Sequence, residues 1–320
     1  MKRLSIKKAS PLNNAHLDGS LFRRIKKNTD VYTMILPSVF FLAVFSVYPL
    51  LWALKYVFYE YDGMMEPLFV GLDNFVRLFT RDKDFWKSVG NTFVYAGGKL
   101  VLTIPIAFAL AVLLNKKIPG RGLFRTTIFM PTIISTAVMS LVFYFIFNSY
   151  NGILNQMLMN LGFVDRPIEW LGMKKAMLSA VLVAVWGALG NYMVYFLAGL
   201  QSIPEELYES SAIDGANKFH QLIYITIPMM GPVMQVVIML AIIVALKGYE
   251  SIMVLTAGGP AGATDVMYLY IYRAFFPAEG GGMFVAQYGY GSAVAIASAA
   301  IVGVITVIYL YISKKMNEIY

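Results

Sequence analysis

Three charged side chains interrupt apolar stretches of this sequence and are the first candidates for chemistry. Lys99, Lys247 and Glu250 each lie in a hydrophobic run long enough to cross a bilayer. A lysine or carboxylate at the centre of a membrane helix costs about 2.5–3.5 kcal/mol on insertion scales. Lys247 and Glu250 are three positions apart and could pair on one helix face. We prefer this structural pairing; the alternative is that both line a solute pathway. Lys99 is expected to snorkel.

Polar and aromatic side chains in the same runs could line a pathway for a polar solute. A binding site for such a solute combines aromatic surfaces with a few well-placed hydrogen-bonding groups. Each candidate alone is more often a packing or interfacial residue, because aromatic residues form belts at both membrane surfaces. The candidate pathway residues are Asn191, Tyr192, Tyr195, Gln235, Lys247, Tyr249 and Glu250.

The residue sets that carry out most enzymatic chemistry are missing from this sequence. It has no cysteine, which excludes a disulfide framework and a thiolate metal site. His16 and His220 fall outside the apolar runs, and there is no His-Glu-x-x-His pair. A Gly-x-x-x-x-Gly-Lys-Ser/Thr nucleotide-binding loop is also absent. We therefore expect no catalytic residue, no metal site and no enzyme activity in this chain.

The elements that must position the charged residues are membrane helices. The 320 residues are 58% hydrophobic and only 14% charged, with a mean hydropathy of +0.65. A soluble domain of this length exposes more charge, and a helix needs about 20 apolar residues to cross a bilayer. These blocks predict an all-α membrane protein with six transmembrane helices. The predicted spans are 33–54, 92–114, 127–147, 177–200, 233–255 and 293–312.

The distribution of Lys and Arg predicts how the spans are oriented. Residues 1–30 form a basic arm, and a second basic cluster follows span two. Because positive residues concentrate on the cytoplasmic side, both termini are predicted to be cytoplasmic, with the six-span domain at 31–320. The net charge of +8 is explained by this topology and by contact with anionic membrane lipid. We expect no nucleic-acid partner.

Residues 201–232 connect predicted spans four and five and have the pattern of a rigid cytoplasmic projection. Ser202 and Glu205 have the spacing of a capping box, with Pro204 in the first turn of the helix. Acidic residues near the start suit the positive end of the helix dipole. An ordinary connecting loop would not need such signals, so the pattern favours docking to another protein.

The same segment carries a stop signal and a second start signal. Gly215 can adopt the left-handed conformation just past a helix end, which predicts a first helix at 203–214. A second helix is predicted to begin after Asn217, with Phe219, Leu222 and Ile223 as its apolar contacts.

Segment 201–232 resembles the coupling motif of ABC importer permeases. In that motif a Glu-Ala-Ala core is followed four residues later by Gly, and then by Pro. Here Glu209-Ser210-Ser211 stands in the Glu-Ala-Ala place, and serine is small enough to keep a close approach. The resemblance assigns ATPase coupling to Glu205, Glu209, Ser210, Ser211, Asp214, Gly215, Ala216 and Pro228.

The resemblance extends over most of the chain. "FVGLDNFVRLF" and "VGNTF" are similar to the outer segment of sugar-importer permeases. "YNGILNQML" with "WLG" is similar to their connection between spans three and four, and "VLTAGGPAGAT" to their last outer loop. The order and spacing of these stretches are typical of the maltose-like carbohydrate-uptake branch.

The resemblance implies a type I ABC importer permease fold in a prokaryotic plasma (inner) membrane. It implies a chain that forms half of the pathway for a sugar or oligosaccharide. The implied partners are a second permease subunit, two cytoplasmic ATPase subunits and an extracytoplasmic solute-binding protein. ATP and Mg²⁺ would bind the ATPases, and this chain itself would need no cofactor.

An ion-coupled secondary transporter is the alternative function. Such a transporter needs buried carboxylates as ion or proton sites. Glu250 is the one acidic residue well inside a predicted span, which is weak support for this alternative.

Overall fold

The computed structural model describes residues 29–116, 118–277 and 285–317, and most of them are helical. The basic arm predicted at 1–30 lies almost entirely outside the described residues. In chain order the helices are α1 (Thr29–Leu42), α2 (Tyr48–Tyr56), α3 (Asp73–Thr80), α4 (Lys83–Asn115), α5 (Arg121–Phe129), α6 (Thr136–Ile146), α7 (Ile153–Asn160), α8 (Ala176–Leu200), α9 (Glu205–Ile213), α10 (Lys218–Gln221), α11 (Ile227–Met229), α12 (Gly231–Leu246), α13 (Glu250–Leu255), α14 (Met267–Phe275) and α15 (Tyr288–Asn317). Two strands, β1 (Tyr59–Glu60) and β2 (Leu68–Phe69), pair antiparallel.

The first compact unit of the chain holds the first span. Helix continues from Thr29 to Tyr56, which confirms the span predicted at 33–54. A π-helical turn, Ala43–Val47, ends two residues before Pro49. In an α-helix a proline ring clashes with the carbonyl group four residues earlier. We attribute the wider turn to this proline, which the helix accommodates without breaking.

The second compact unit begins at Tyr56 and is organised around α4. The first third of α4, including Phe85, packs in a buried cluster with α12, α14 and α15. Tyr95, further along, belongs to a second cluster with α6, α8 and α13. The last third, including Ala107 and Ala111, packs with α8 and α12 in a third cluster. Every buried cluster described in this unit therefore includes α4.

Three predicted spans are continuous helices in this unit. Helices α4, α8 and α15 confirm the spans predicted at 92–114, 177–200 and 293–312. Helix α4 begins nine residues before the predicted start because the polar residues at 83–91 continue the helix beyond the apolar run. Its 33 residues correspond to about 50 Å.

The third predicted span is not one straight helix. Its two halves, Arg121–Ile133 and Thr136–Ile146, meet at a bend of 96°. Pro131 lies in the 3₁₀ turn that precedes the bend, where its missing N–H interrupts the helical hydrogen bonds. The first half also presses against α8, because a Cβ atom added to Gly190 would lie 2.5 Å from the carbonyl oxygen of Ile128.

The fifth predicted span is interrupted as well. Residues 247–249 leave the helix between α12 and α13. A Cβ atom on Gly248 would lie 2.8 Å from the ring of Tyr95, so the backbone approaches α4 closely here. The interruption removes the helical spacing of Lys247 and Glu250. Their predicted pairing is wrong, since no ion pair joins them in the part of the chain that the structure describes.

The segment after the first span is an ordered cap. Strands β1 and β2 form a short hairpin, and α3 follows it. The buried side chain of Asn74 donates hydrogen bonds to the carbonyl oxygens of Val57 at 2.7 Å and Tyr59 at 3.1 Å.

Asp82 joins this cap to the long helices. Its Oδ1 atom accepts a hydrogen bond from the amide of Phe85 at 2.9 Å and so caps α4. Its Oδ2 atom accepts hydrogen bonds from the hydroxyls of Tyr270 and Tyr290. The guanidinium of Arg77 stacks over the Tyr290 ring at 3.9 Å. One carboxylate therefore ties α4, α14 and α15 together.

The loop 256–266 is held by side chains of α4. The amide of Asn91 donates to the carbonyl oxygen of Gly262 at 3.0 Å. The ammonium of Lys87 donates to the carbonyl oxygen of Ala261 at 2.7 Å. These contacts satisfy the backbone groups of a loop that contains four residues with positive φ.

Asp265 at the end of this loop is buried, and its carboxylate forms an ion pair with Arg273 at 2.9 Å. Burial raises the pKa of the Asp265 carboxyl to about 6, and repulsion from Asp84 adds to this effect. The positive charges of Arg273 and Lys87 act in the opposite direction but do not cancel it. The second oxygen, Oδ1, is buried without a hydrogen-bond partner.

We predict that Asp82→Ala destabilises the fold by about 2–4 kcal/mol, because it removes a helix cap and two hydrogen bonds to a charged group. Thermal unfolding of the detergent-purified chain measures this change. Asp73→Ala is the matched control, since Asp73 is an exposed residue at the start of α3. Equal unfolding temperatures for the two variants would contradict the role given to Asp82.

We predict that Asp265→Asn removes a pH-dependent part of the stability. The folded carboxyl has a pKa of about 6, above its ordinary value of 3.8, so the folded state holds this proton more tightly. The resulting stabilisation is fully present below about pH 4 and is lost as the pH rises through about 6. Unfolding temperatures of the native chain, Asp265→Asn and the exposed control Asp165→Asn, compared between about pH 4 and about pH 7, test this. An unchanged pH dependence in Asp265→Asn would refute it.

Candidate functional site

Segment 201–232 folds as the predicted helix pair. Helix α9 holds four of the residues assigned to coupling, and the turn and helices after it hold the others. The structure places Glu205 at the first position of α9, Glu209, Ser210 and Ser211 within it, Asp214 at its C-cap, Gly215 and Ala216 in the turn, and Pro228 within α11.

The start of α9 differs from the prediction. The helix begins at Glu205, with Pro204 as its N-cap residue, and no side chain caps it. The hydroxyl of Ser202 instead donates to the carbonyl oxygen of Gly199 at 2.7 Å, so the predicted capping box is wrong. Ile203 is buried in the cluster formed by α4, α8 and α12. We attribute the later start to this burial, which holds the chain out of the helix until Glu205.

The end of α9 confirms the predicted stop at Gly215, which has a φ of +84°. The amide of Gly215 donates to Ala212 at 3.1 Å, and the amide of Ala216 donates to Ser211 at 2.9 Å. These two bonds form a Schellman motif, which satisfies carbonyl groups at a helix end. A Cβ atom at position 215 would meet nothing within 4 Å. Glycine is therefore favoured there by the backbone conformation alone and not by lack of space.

The second helix, α10, begins after Asn217 as predicted, and the Asn217 side chain caps it by accepting from the amides of Phe219 and His220. The sequence-based assignment of Phe219 as an apolar contact is wrong, because its side chain is 66% exposed. Leu222, also assigned, is partly buried.

Gln221, which the sequence analysis missed, locks the two helices together. Its side chain is buried, and its amide nitrogen donates to the carbonyl oxygen of Tyr208 at 3.0 Å and to the Ser211 hydroxyl at 2.9 Å. Its carbonyl oxygen accepts from Lys218 at 3.2 Å. A glutamine in a polar segment gives no signal that it is buried, so only the structure shows this role.

The helix pair is anchored to the long helices. The hydroxyl groups of Tyr208 and Thr226 are hydrogen-bonded at 3.0 Å. The Tyr208 ring packs against the buried cluster of α4, α8 and α12, which includes Met230 just before α12. A Cβ atom at Gly199 would lie 2.9 Å from the Met230 side chain. The base of the pair is thus continuous with the packed interior.

The opposite side of the pair is exposed. Helix α9 has no buried residue, and it presents the carboxylates of Glu205, Glu206 and Glu209 to solvent. Two large apolar side chains beside them are also exposed, Ile213 at 87% and Phe219 at 66%. Large apolar residues rimmed by charge are typical of a protein interaction site.

A second candidate site is a cavity of about 540 Å³ between the long helices. Its walls come from α4, from the bend before α6, from α8, and from the interruption between α12 and α13. The cavity brings together five of the seven predicted pathway residues, which are Asn191, Tyr192, Lys247, Tyr249 and Glu250.

The other two predicted pathway residues do not line this cavity. Tyr195 lies one helical turn beyond Tyr192 and stacks edge-on against its ring. Gln235 links α12 to α15. Its side-chain amide donates to the carbonyl oxygen of Ser313 at 3.4 Å, and its backbone carbonyl oxygen accepts from the hydroxyl of Tyr309 at 2.7 Å.

Lys99 lines the same cavity, and the prediction that it snorkels is wrong. Its side chain is only 9% exposed and lies at the middle of α4. Tyr95, one turn earlier on the same wall, is hydrogen-bonded to Ser251 at 3.1 Å. Lys99 therefore lines the same cavity as Lys247 and Glu250.

Comparison with known proteins identifies the family of this chain. Residues 103–318 match the family described as the binding-protein-dependent transport system inner membrane component. The chain belongs to this family. It is thus a permease of the inner membrane, and the ion-coupled alternative finds no support among the similar proteins.

Curated relatives of the permease are sugar transporter subunits. It is 33% identical to a lactose transport system permease of Rhizobium radiobacter, over 79% of this chain and 86% of the relative. It is 34% identical to the arabinooligosaccharides transport system permease of Bacillus subtilis, over 76% and 78%. It is 32% identical to a trehalose/maltose permease of Thermococcus litoralis, over 76% and 82%.

Two solved structures have the same fold as this permease. One is a bacterial ABC transporter that imports the acidic polysaccharide alginate, with a TM-score of 0.79 and 26% identity. The other is a bacterial alginate transporter in complex with its pentasaccharide-bound periplasmic protein, with a TM-score of 0.80 and 25% identity. Both matches cover 92% of this chain and 98% of the other, so the predicted importer permease fold is confirmed.

We predict that Gln221→Leu loosens the helix pair. The substitution removes the hydrogen bonds that the Gln221 amide donates to the carbonyl oxygen of Tyr208 and to the hydroxyl of Ser211, at a cost of about 1–3 kcal/mol. Hydrogen exchange of the α9 amides should become faster by about 5- to 100-fold. Gln201→Leu is the control, because Gln201 is exposed in the same segment. The role of Gln221 fails if α9 exchanges at the same rate in both variants.

Proposed function

We propose that this permease forms half of the pathway of an ATP-driven sugar importer and is moved by separate ATPase subunits through segment 201–232. The observation that carries the proposal is the construction of that segment. One side of the helix pair is an exposed acidic and apolar surface. The other side packs against the buried cluster of α4, α8 and α12. Such a pair can bind a partner and pass on its movement.

The exposed surface of α9 and α10 would dock in a cleft of the ATPase. Ile213 and Phe219 would supply apolar contacts, and the carboxylates of Glu205 and Glu209 would favour a basic rim on the partner. Asp214, Gly215 and Ala216 would fix the angle between the helices, since the Schellman motif and the Gln221 hydrogen bonds hold that turn. The ATPases bind ATP with Mg²⁺, and its hydrolysis supplies the free energy of transport.

The movement of the docked pair would reach the cavity through two helices. Helix α8 ends beside the pair at Leu200, and its middle carries Asn191 and Tyr192 in the cavity wall. Helix α12 starts beside Met230, and its far end leads to Lys247 in the same wall. A displacement of the pair would therefore tilt both walls, as in the rigid-body transitions of other switching proteins.

The cavity suits a carbohydrate. Tyr249 offers a partly exposed ring, and the exposed Asn191 offers an amide that can donate and accept hydrogen bonds. The similar permeases are named for lactose, trehalose and maltose, arabinooligosaccharides and alginate. We propose a second six-span subunit that completes the pathway, an extracytoplasmic binding protein that delivers the sugar, and surrounding membrane lipid.

We predict that Gly215→Ala uncouples the importer. Alanine at a φ of +84° is strained by about 1–2 kcal/mol, and the strain opens the turn that sets the docking angle. In proteoliposomes that contain the complete importer, sugar-stimulated ATP hydrolysis and uptake should both fall severalfold. Gly231→Ala is the matched control, because a Cβ atom there also meets nothing within 4 Å and no left-handed φ is required.

Two results would overturn the proposal. One is uptake by the native importer at an undiminished rate without ATP while an ion gradient is present. The other is equal coupling in Gly215→Ala and Gly231→Ala.

A further inference from the structure

Lys99 is a buried charged residue to which the proposed function gives no role. Its side chain is 9% exposed and faces the cavity from the middle of α4. Across residues 29–116, 118–277 and 285–317, no side chain or carbonyl group forms a hydrogen bond or ion pair with it. Burying an ammonium group without a partner costs free energy. Binding of a ligand to that ammonium group would recover part of this cost.

The other charges of the cavity do not neutralise Lys99. The lining contains one further ammonium group, on Lys247, and one carboxylate, on Glu250. Apart from tyrosines, the described residues contribute no other ionisable side chain to this lining. Lys247 and Glu250 are both exposed in this chain and pair neither with each other nor with Lys99. The lining therefore has two positive charges against one negative charge.

We infer that the solute carried by this permease bears a carboxylate, as in a uronic-acid oligosaccharide, and that Lys99 binds that group. This inference rests on the proposed function. A neutral sugar offers Lys99 only hydroxyl groups, which leave its buried charge uncompensated, whereas a carboxylate supplies the opposite charge together with a hydrogen-bond acceptor.

Lys247 and Glu250 then have distinct places around the solute. Lys247 lines the cavity at the end of α12 and adds a positive potential that favours entry of an anion. Glu250 opens α13 and can accept hydrogen bonds from sugar hydroxyls. Asn191 and the tyrosine rings contact the uncharged part of the solute.

The test is uptake by the complete importer, with permease pair, ATPases and binding protein, from an equimolar mixture of neutral oligosaccharides and oligouronates. Maltotriose, arabinotriose, trigalacturonate and trimannuronate are suitable probes, and mass spectrometry identifies what accumulates. The inference expects an oligouronate to accumulate. Accumulation of neutral sugars alone overturns it and leaves the proposed function intact. Accumulation of no saccharide overturns both.

Substitutions of Lys99 show whether its charge is responsible. Lys99→Gln keeps a hydrogen-bond donor without the charge, and it should raise the oligouronate concentration for half-maximal uptake by roughly 10- to 100-fold. Lys99→Arg keeps the charge and should retain most of the uptake. Lys174→Met is the control, because Lys174 is exposed in the connection before α8. A purely structural role predicts equal losses for Lys99→Gln and Lys99→Arg, with no change in the concentration dependence, and that result would overturn the assignment.

Discussion

The close packing of α4 along α8 is the interaction on which the rest of this permease depends. A glycine allows this approach, since a Cβ atom at Gly98 of α4 would lie 3.3 Å from the Val181 side chain of α8. Two glycines of α8 allow similar approaches to α6 and α5: a Cβ atom would lie 2.8 Å from Met139 at Gly187 and 2.5 Å from the carbonyl oxygen of Ile128 at Gly190. Small residues at helix contacts are the usual means of association in a membrane, where lipid is as apolar as the protein interior. Because α4 contributes to all three described clusters of its unit, a change in this contact reaches both candidate sites.

The irregular backbone of the spans is concentrated at the cavity. Membrane-depth residues outside a helix expose peptide groups that lipid cannot satisfy, so they are tolerated where protein or a solute path surrounds them. The turn around Pro131 and the interruption at Gly248 both contribute to the cavity lining. Both are also where the backbone approaches a neighbouring helix closely. The departures from ideal helix thus create the polar, non-lipid surface that a sugar needs.

Apolar blocks and glycine signals predict much of this structure, because they act locally. Four of the six spans follow from hydropathy, and the Gly215 stop follows from the conformational freedom of one residue. Both signals can be read from neighbouring positions in the sequence. The bend in span three, the interruption at Gly248 and the burial of Lys99 depend on contacts between distant helices. Lys247 and Glu250 illustrate the limit, since their spacing indicates a pair only if the helix continues. Ser202 is similar, because the burial of Ile203 overrides a local capping signal.

The same physics explains why the two sites can act as one. A close-packed interior does not absorb displacement, since each side chain already fills the space available to it. A movement imposed at Tyr208 and Met230 must therefore pass along α8 and α12. Helix α8, with 25 residues, is about 37 Å long, so a tilt of a few degrees about its cavity wall moves its end by an ångström or more. The buried hydrogen bonds of Gln221 matter for this reason: without a stiff turn, the docked helix would pivot alone and the walls around Lys99 would stay still.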